Sequence, residues 1–552
     1  MPTTITWKRV IDLPRGRSIQ PLNAIGGSSA THNVAMFAKD LRGRNYAHPY
    51  VYYAMTTANL IGYNTKYDSW QQVSSATLVS SGGLTSTDGQ HICQIAPSQG
   101  PKGTLSTGNS TTKVVLSTAL PASVGINQLC NRGDGLGYII RIIGNAAGSS
   151  GKIEERRIVA NTSGTTPTLF LDEALSFTPA SGDAYELLSG RIYFIASNSN
   201  TAGAFRYFDL ATQSVSGNLS TTNMPSLSGS NSQFIPLDES YVSYNRFPGE
   251  GFLVGAATYD AGSATYIKGC LTATATAAGT ITGQASSGDA AVAANEFRNF
   301  QIRIVEDTTT PTAVGQRRRI TSHTAGASAV YTLASNWTVT PSTTAKFVIE
   351  LDNDKVILLA ASQTTTYNYN HTANTWDTTT WAARGSSTTH AGLAHHLFGV
   401  VADVNKNVTP SQIISPRFQT TTYDLFDISA ASTGSWTNGA TMLNQGINYT
   451  AIYDNNSVSC YVPWTQNGRY IYVQNSASSN QGAFGFIQRI DVMSRSVEAW
   501  ATTALTVETI TNYLAVNSGF SSYYYDNGTY VPAIYTKRPG SQTQWSQYLI
   551  LD

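Results

Sequence analysis

The residues of this chain that could do chemistry are mostly acidic, and most of them stand in turns. The chain has 33 Asp and Glu residues, enough to supply the paired carboxylates that hydrolyse glycosidic bonds. Asp68, Asp209, Asp427 and Asp491, however, each follow a short aromatic or apolar run. A carboxylate in that position bonds the backbone of a tight turn. The sequence therefore predicts turn capping for these residues.

Two groups of side chains have the chemistry of metal ligands. Asp352-Asn353-Asp354 has carboxylates at a spacing used in calcium loops, but the Gly and Glu that complete such a loop are missing. His390, His395 and His396 lie close together, with His371 upstream. Adjacent residues of a strand point to opposite faces, so the last two cannot hold one metal. We predict a hairpin turn at the acidic group, and no metal or other cofactor.

Nucleophiles and thiols show no catalytic pattern. The four cysteines, Cys93, Cys130, Cys270 and Cys460, form no CxxC pair, which favours buried free thiols. No Gly-x-Ser-x-Gly elbow, phosphate loop or dinucleotide fingerprint stands between a strand and a helix. Arg132-Gly133-Asp134 spells an adhesion tripeptide, but a Gly-rich turn produces it easily by chance. We therefore predict that the protein is not an enzyme.

Composition narrows the classes of partner. A chain of 552 residues needs at least two folding units. Charged residues make up 12% and the net charge is +1, with the basic residues scattered, which disfavours direct binding of nucleic acid. Neither a signal peptide nor an apolar run of membrane-spanning length is present. We expect synthesis in a cytoplasm and no membrane anchor.

The elements that position these residues are short β-strands. Runs such as 138–143, 191–196 and 355–360 alternate or are fully apolar, and helical spacing is almost absent. Gly, Asn, Asp and Ser clusters, which are typical of turns, separate the runs. The sequence therefore predicts an all-β fold with many short strands.

The strongest pattern is an internal repeat at an offset of 162 residues. At that offset Ile140-Arg141-Ile142 falls on Ile302-Arg303-Ile304, and Thr178-Pro179 falls on Thr340-Pro341. The register then slips by two residues before the next strand. Recurrence at a fixed spacing indicates one structural unit used twice. We predict two similar small β-sandwich or barrel domains, inserted at 102–190 and 269–353.

Two arginine pairs recur within the repeat, Arg156 with Arg157 and Arg318 with Arg319. Because neighbouring side chains of a strand point to opposite faces, one arginine of each pair can lie along the sheet and bond a carboxylate or loop carbonyls. A shared fold explains this repetition without a shared ligand. Contact with a neighbouring subunit is the alternative, and ligand binding is a third possibility.

Outside the repeats, an aromatic-rich hairpin with an Asp or Asn turn recurs five times, at 63–70, 205–215, 367–376, 423–436 and 487–500. This pattern resembles the hairpins of kelch-type β-propellers, although the paired glycines of kelch repeats are missing. The resemblance implies a kelch-like β-propeller of about six blades, with five to seven allowed, formed by 1–101, 191–268 and 354–552. A C-terminal run, 545–551, is expected to close the ring against an N-terminal strand.

The second repeat carries a further resemblance. Its segment 315–320, a Thr-rich turn, Leu333 with Trp337, and 338–341 resemble a segment of phage virion proteins, in which an Arg-Ile strand precedes a Trp-x-Val-x-Pro strand. In the first repeat Leu175, Phe177 and Pro179 are at the matching places. With a propeller body and a surface of low charge, the chain resembles the tail hub or nozzle proteins of short-tailed phages.

This resemblance implies a structural subunit of the virion tail, without catalytic residues, that forms a ring around the DNA exit channel. The expected partners are other copies of the chain, with six-fold symmetry, and virion proteins such as a tail adaptor and fibres. DNA is expected only as passing cargo.

Two other functions remain open. One is a receptor-binding or head-decoration protein of the virion that recognises cell-surface glycan through aromatic loops. The other is a propeller-fold enzyme that degrades polysaccharide, which predicts acidic, His and Tyr side chains clustered on one face of the ring. A nozzle predicts instead large contacts between neighbouring copies.

Overall fold

The computed structural model describes part of the chain, most continuously in the two repeats. The described residues are 5–12, 33–34, 37–39, 45–47, 49–56, 59–64, 66–67, 69–82, 92–95, 99–196, 199–227, 233–237, 271–284, 292–352, 354–360, 363–385, 395–397, 412–417, 422–441, 443–445, 458–460, 469–474, 486–502, 519–526, 529–537 and 544–550. Their regular elements are β-strands, apart from short 3-10 turns at Gln128–Cys130 and Pro311–Ala313. The predicted all-β class is confirmed. Within these ranges no helix has the length and apolar character to cross a membrane.

The strands up to the end of the first repeat are β1 (Ile5–Asp12), β2 (Asn33–Val34), β3 (Phe37–Lys39), β4 (Asn45–Ala47), β5 (Tyr50–Thr56), β6 (Asn59–Asn64), β7 (Ser69–Ser74), β8 (Ile92–Ile95), β9 (Lys102–Thr104), β10 (Lys113–Val115), β11 (Ile139–Ile143), β12 (Ile153–Asn161), β13 (Thr168–Leu171) and β14 (Ala184–Leu188). Those up to the end of the second repeat are β15 (Arg191–Ile195), β16 (Phe205–Asp209), β17 (Ser214–Val215), β18 (Gln233–Pro236), β19 (Leu271–Ala277), β20 (Thr280–Gln284), β21 (Gln301–Glu306), β22 (Arg317–His323), β23 (Ser328–Leu333) and β24 (Lys346–Glu350). The remaining strands are β25 (Lys355–Leu359), β26 (Thr366–Asn370), β27 (Thr375–Asp377), β28 (His395–Leu397), β29 (Gln412–Pro416), β30 (Thr422–Asp427), β31 (Ser435–Thr441), β32 (Leu443–Gln445), β33 (Val458–Cys460), β34 (Tyr470–Gln474), β35 (Phe486–Asp491), β36 (Ser496–Thr502), β37 (Gly519–Asp526), β38 (Thr529–Lys537) and β39 (Gln544–Ile550).

Outside the repeats, the described strands form six antiparallel sheets of four strands, in which consecutive strands are neighbours. Numbered first to sixth, they are β2-β5-β6-β7, β8-β15-β16-β17, β18-β25-β26-β27, β28-β29-β30-β31, β33-β34-β35-β36 and β37-β38-β39-β1. The fifth sheet gains β32 as a parallel edge strand, and β3 pairs with β4 in a separate hairpin.

The sixth sheet joins the two ends of the described chain. β1 pairs with β39, with Ile5 opposite Ile550 and Trp7 opposite Tyr548, as the sequence predicted for the run at 545–551. The first strands of successive sheets also contact one another, namely β2 with β8, β8 with β18, β18 with β28, β33 with β37, and β37 with β2. The last sheet is therefore in contact with the first.

A turn cap recurs after the third strand of these sheets. Asp209 Oδ1 accepts two backbone N–H groups of its turn, at 3.1 and 3.0 Å. Asp427 and Asp491 each accept the N–H two residues further on, at 2.9 Å. The predicted capping role of these three residues is confirmed, and Asp68 lies outside the described residues.

The two repeats are inserted between the first and second strands of the second and third sheets. We call β9–β14 barrel 1 and β19–β24 barrel 2. Barrel 2 is closed, with neighbours in the order β19-β20-β23-β22-β21-β24. Barrel 1 has the same order, β9-β10-β13-β12-β11-β14, in which a bridge between Leu105 and Leu116 joins β9 to β10. Residues related by the repeat therefore occupy equivalent places.

Aromatic side chains join the two sheets that carry the barrels. Tyr193 and Phe205 of the second sheet pack against Phe234, Tyr369 and Trp376 of the third. The Phe205 and Tyr369 rings meet edge to face with centroids 4.7 Å apart, and Phe234 stacks on Trp376 at 5.9 Å. Ring pairs in these geometries stabilise a core beyond the area they bury.

Candidate functional site: the paired barrels

The first arginine of the predicted pair in barrel 1 is wholly internal. Arg156 lies on β12, and its side chain has no exposed surface. The guanidinium donates to Ala174 O and Glu155 O at 2.7 and 2.8 Å. It also donates to Glu154 Oε2 at 2.7 Å, a salt bridge between two buried groups. Because Ala174 lies between β13 and β14, Arg156 holds that connection against the barrel.

Arg318 of barrel 2 makes the equivalent bonds. It donates to Asn336 O at 2.8 Å and Arg317 O at 2.7 Å, which are the groups 162 residues after the barrel 1 partners. Its Nη2 also donates to Thr338 Oγ1 at 2.9 Å and to Gln316 Oε1 at 3.3 Å, and barrel 1 has a carboxylate at the place of this glutamine. The half-exposed guanidinium lies 5.5 Å from the centroid of the Trp337 ring. A neutral acceptor binds an arginine less strongly than a carboxylate does.

The second arginines differ more. Arg157 donates to Gly137 O at 3.1 Å within barrel 1. Arg319 donates to Asn299 Oδ1 at 2.6 Å and to Ser432 O at 3.0 Å. Ser432 lies in the hairpin between β30 and β31, so Arg319 joins barrel 2 to the fourth sheet. Burial lowers the pKa of the Arg319 guanidinium.

The structure does not bring the four predicted arginines into one site, because each pair stays in its own barrel. Arg156 and Arg318 lie along the sheet and bond loop carbonyls, which is the first interpretation drawn from the sequence. Arg157, Arg318 and Arg319 are half-buried, and for them the contact with a neighbouring subunit stays a prediction.

Sequence reasoning missed a row of charged side chains that crosses between the barrels. In barrel 1, Arg141 donates to Glu155 Oε1 at 2.7 Å and to Glu186 Oε2 at 2.9 Å. In barrel 2, Arg303 donates to the two oxygens of Glu350 at 3.1 and 2.8 Å. All five side chains are buried. They come from β11, β12 and β14 and from the equivalent strands β21 and β24.

Arg317 connects the two halves of this row. Its Nη2 lies 3.4 Å from both carboxylate oxygens of Glu186, and its Nε lies 3.5 Å from Glu350 Oε1. Burial would raise the pKa of Glu186, but Arg317, Lys102 and Arg141 hold it well below its usual range. The signs alternate along the row, which gives every buried charge an oppositely charged neighbour.

The row joins equivalent positions of the two barrels, with one inversion. Arg141 corresponds to Arg303, whereas Glu155 corresponds to Arg317. One guanidinium and two carboxylates of barrel 1 sum to −1, and two guanidinium groups and one carboxylate of barrel 2 sum to +1. These six charges sum to zero, and the more exposed Lys102, whose Nζ lies 3.5 Å from Glu186 Oε1, adds a further positive charge beside the row. The offset that places Arg141 on Arg303 marked both arginines but gave no sign of the carboxylates that pair with them.

Backbone groups complete the contact between the barrels. The N–H of Asp307 donates to Gly151 O at 2.8 Å, and Lys152 forms an isolated antiparallel bridge with Glu306. Ile153 of barrel 1 belongs to the same hydrophobic cluster as the interior of barrel 2. Burying apolar surface around this ionic row excludes water from it. The two barrels thus form one packed unit.

Barrel 1 also rests on the first sheet through Arg132-Gly133-Asp134. Asn64, at the end of β6, donates to Gly133 O. Arg132 and Asp134 are buried and bond each other, with Nη2 and Oδ2 2.7 Å apart. The two charged side chains of the tripeptide therefore form a salt bridge with each other.

The side chains weighed as metal ligands are spread over separate contacts. Asp352 is buried beside Lys355, with Nζ and Oδ2 3.2 Å apart, while Asp354 accepts the Thr372 hydroxyl at 2.9 Å and lies 3.6 Å from His371. No group of three His, Cys, Asp or Glu side chains within the described ranges could hold a metal. Asn353 and His390 lie outside those ranges, and the backbone of His395 and His396 is part of β28.

Cys130 has a free thiol, as predicted, but it is half-buried and not fully buried. It donates to Asn127 O at 2.9 Å. The backbone of Cys93 and Cys460 lies in β8 and β33, and Cys270 lies outside the described residues.

Comparison with known proteins gives no family. No protein-family model matches the chain, and no curated protein does. Among solved structures, the GH74 enzyme of Niastella koreensis aligns with 93% of this chain and 67% of its own, with 9% identity and a TM-score of 0.18. A likeness at that level does not distinguish between classes of function.

Proposed function

We propose that the six sheets are the blades of a β-propeller and that the chain is a structural subunit of a phage tail nozzle or hub. The observation that carries the propeller is the pairing of β1 with β39. It places an N-terminal strand beside three C-terminal strands in one four-stranded sheet. Ring closure of this kind leaves no long free strand edge, and the contacts between first strands of successive sheets support it.

The positions of the barrels suit an assembly subunit. In an antiparallel four-stranded sheet, the connection from the first to the second strand and the connection from the third to the fourth strand lie at the same end of the strands. Both barrels occupy first-to-second connections, and barrel 2 also contacts the third-to-fourth hairpin of the fourth sheet. The paired barrels therefore stand on one face of the proposed ring, as a single projection available to a neighbouring subunit.

The motif behind the phage resemblance is one structural unit. Gln316 accepts the N–H of Thr338 at 2.8 Å and donates to Val339 O at 2.7 Å, so the two halves of the motif bond each other. This bonding supports the hypothesis that the motif marks a barrel shared with virion proteins. The low content of charged residues also suits a channel that must not retain DNA through phosphate contacts.

The test is the mass and position of the assembly. We expect the purified full-length chain, examined by native mass spectrometry and electron microscopy, to form rings, with six copies as the expected number. We also expect antibody labelling of purified virions to mark the tail. A monomer that releases sugar from bacterial polysaccharide would overturn the proposal in favour of the enzyme. Labelling on the head or on fibres would favour the receptor-binding or decoration protein.

A further inference from the structure

His323, at the end of β22, uses both nitrogens of its ring. Nε2 accepts the backbone N–H of Phe297 at 2.8 Å, and Nδ1 lies 2.9 Å from Thr324 O. Because a carbonyl oxygen can only accept, Nδ1 carries the proton and Nε2 carries none. The ring is buried against Phe297 and Tyr331, with centroids 5.8 and 5.0 Å away. This arrangement requires the neutral imidazole.

Barrel 1 makes the same contact with an amide. Asn161, which precedes His323 by the repeat offset, accepts the N–H of Leu129 at 2.9 Å and donates to Thr162 O at 3.0 Å. Even the backbone before the contact is alike, since Asn127 and Asn295 both have a positive φ, 59° and 62°. The two barrels therefore share one hydrogen-bond arrangement, but only the side chain in barrel 2 can gain a proton.

The segment that His323 fastens, 292–300, carries contacts to the fourth sheet. Asn299 donates to Ile428 O at 2.6 Å and to Ala431 O at 2.8 Å. Arg298 donates to Ala430 O at 3.3 Å. These carbonyls belong to the β30–β31 hairpin, so loss of order in 292–300 would remove part of the contact between barrel 2 and the ring of sheets.

We propose that His323 is an acid-sensitive latch that fastens 292–300 to barrel 2, and barrel 2 to the fourth sheet. A second proton on the ring occupies Nε2, where it faces the N–H of Phe297. Two donors then point at each other, and a buried cation is left with a lost hydrogen bond. Asn161 gives barrel 1 no such response. This proposal about His323 does not depend on the proposed role in a phage tail.

The sign of the effect follows from the groups around the ring. Burial lowers the pKa of His323, the bond to Thr324 O and the charge of Glu296 raise it, and Arg298 lowers it, with the net result below the ordinary value of 6.5. Among the described residues, Glu296 and Arg298 are the charged groups that act on the ring. The stabilisation is complete above about pH 6.5. It is lost as the pH falls from there through the folded-state pKa.

Hydrogen exchange of the full-length protein, measured by mass spectrometry at pH 7.5 and pH 5 and corrected for intrinsic exchange rates, tests the latch. We expect protection of 292–300 to fall severalfold on acidification, with about thirtyfold as the upper limit, because pH 5 lies 1.5 units below the ordinary histidine pKa of 6.5. The barrel 1 counterpart, 125–131, serves as a control inside the same molecule. Its protection is expected to stay constant.

Two matched variants sharpen the test. His323→Asn gives barrel 2 the side chain of barrel 1, and we expect 292–300 to keep its protection at both pH values. Asn161→His is expected to make 125–131 acid-sensitive. Equal protection of 292–300 at both pH values in the unmodified chain would overturn the latch, even if neither variant folds. So would an unchanged acid response in a folded His323→Asn protein.

Discussion

Barrel 1 and barrel 2 share one strand order, yet they fill three equivalent polar positions differently. Glu154 corresponds to Gln316, Glu155 to Arg317, and Asn161 to His323. At the first and third positions the hydrogen-bond geometry is kept while the charge or its pH dependence changes. At the second, a carboxylate that accepts from Arg141 is replaced by a guanidinium that lies beside Glu186 and Glu350. The duplicated fold thus determines the positions of the polar side chains, and the residue type at each position determines its bonding partners.

The arginine pairs of the two barrels also differ in what they contact. Arg156 directs its bonds into barrel 1, and its carboxylate partner is buried with it. In barrel 2, Arg317 reaches Glu186 of the other barrel, and Arg319 reaches Ser432 of the fourth sheet. Arg157 and Arg319 occupy equivalent positions, yet Arg157 bonds within barrel 1 while Arg319 attaches barrel 2 to the fourth sheet.

The largest expected difference between the barrels is the effect of truncating the equivalent arginines. Arg156→Ala removes the positive charge beside the buried carboxylate of Glu154, which we expect to cost about 3 to 5 kcal/mol. Arg318→Ala breaks bonds to half-exposed and neutral groups, and we expect about 1 kcal/mol. Denaturant-dependent hydrogen exchange of β12 and β22 measures the two losses. Equal losses of stability in the two variants would show that the deeper burial of Arg156 does not increase its contribution.

A smaller effect tests the backbone contact between the barrels. Gly148 and Gly151 both have positive φ, 80° and 68°, but only at Gly151 would a Cβ meet a neighbour, 2.1 Å from Asp307 O. We expect Gly148→Ala to cost about 1 kcal/mol through backbone strain. Gly151→Ala is expected to cost about 2 to 4 kcal/mol, because overpacking adds to that strain. Thermal unfolding of both variants provides the comparison, and similar melting temperatures would contradict a tight contact.

The smallest expected effect concerns the charge inversion. Arg317→Glu gives barrel 2 the charge of Glu155 and places a third carboxylate beside Glu186 and Glu350. We expect a loss of about 2 to 3 kcal/mol, against about 1 to 2 kcal/mol for the neutral Arg317→Gln. The N–H of Asp307 donates to Gly151 O across the contact between the barrels. Its hydrogen-exchange rate therefore measures how often the two barrels come apart. If Arg317→Glu destabilised the contact between the barrels no more than Arg317→Gln does, charge complementarity would not be what holds the barrels together.

Much of the fold could be predicted from local patterns. Alternating apolar residues specify strands because side chains of a strand alternate between two faces. Asp209, Asp427 and Asp491 could be placed in turns because a short carboxylate bonds the backbone nearest to it. The repeat offset related Arg156 to Arg318, and their equivalent bonds follow because the same strand order brings the same loop carbonyls to each.

The contact between the barrels was not accessible in this way. Arg141 stood out as part of a repeated strand, but its partners Glu155 and Glu186 lie 14 and 45 residues along the chain. The link from Arg317 to Glu186 spans 131 residues. No spacing rule relates residues so far apart, because their separation in space is set by how barrels and sheets pack.

The sequence by itself determined the all-β class, the capped turns and the use of one unit twice, since each depends on residues close in the chain or on direct self-similarity. Only the tertiary structure decided that the two units face each other across a row of side chains whose charges alternate in sign. The same holds for the two nitrogens of His323, which lie between a backbone donor and an acceptor. Packing between residues far apart in the chain creates these buried environments. There, a single unpaired charge or added proton has a large energetic cost.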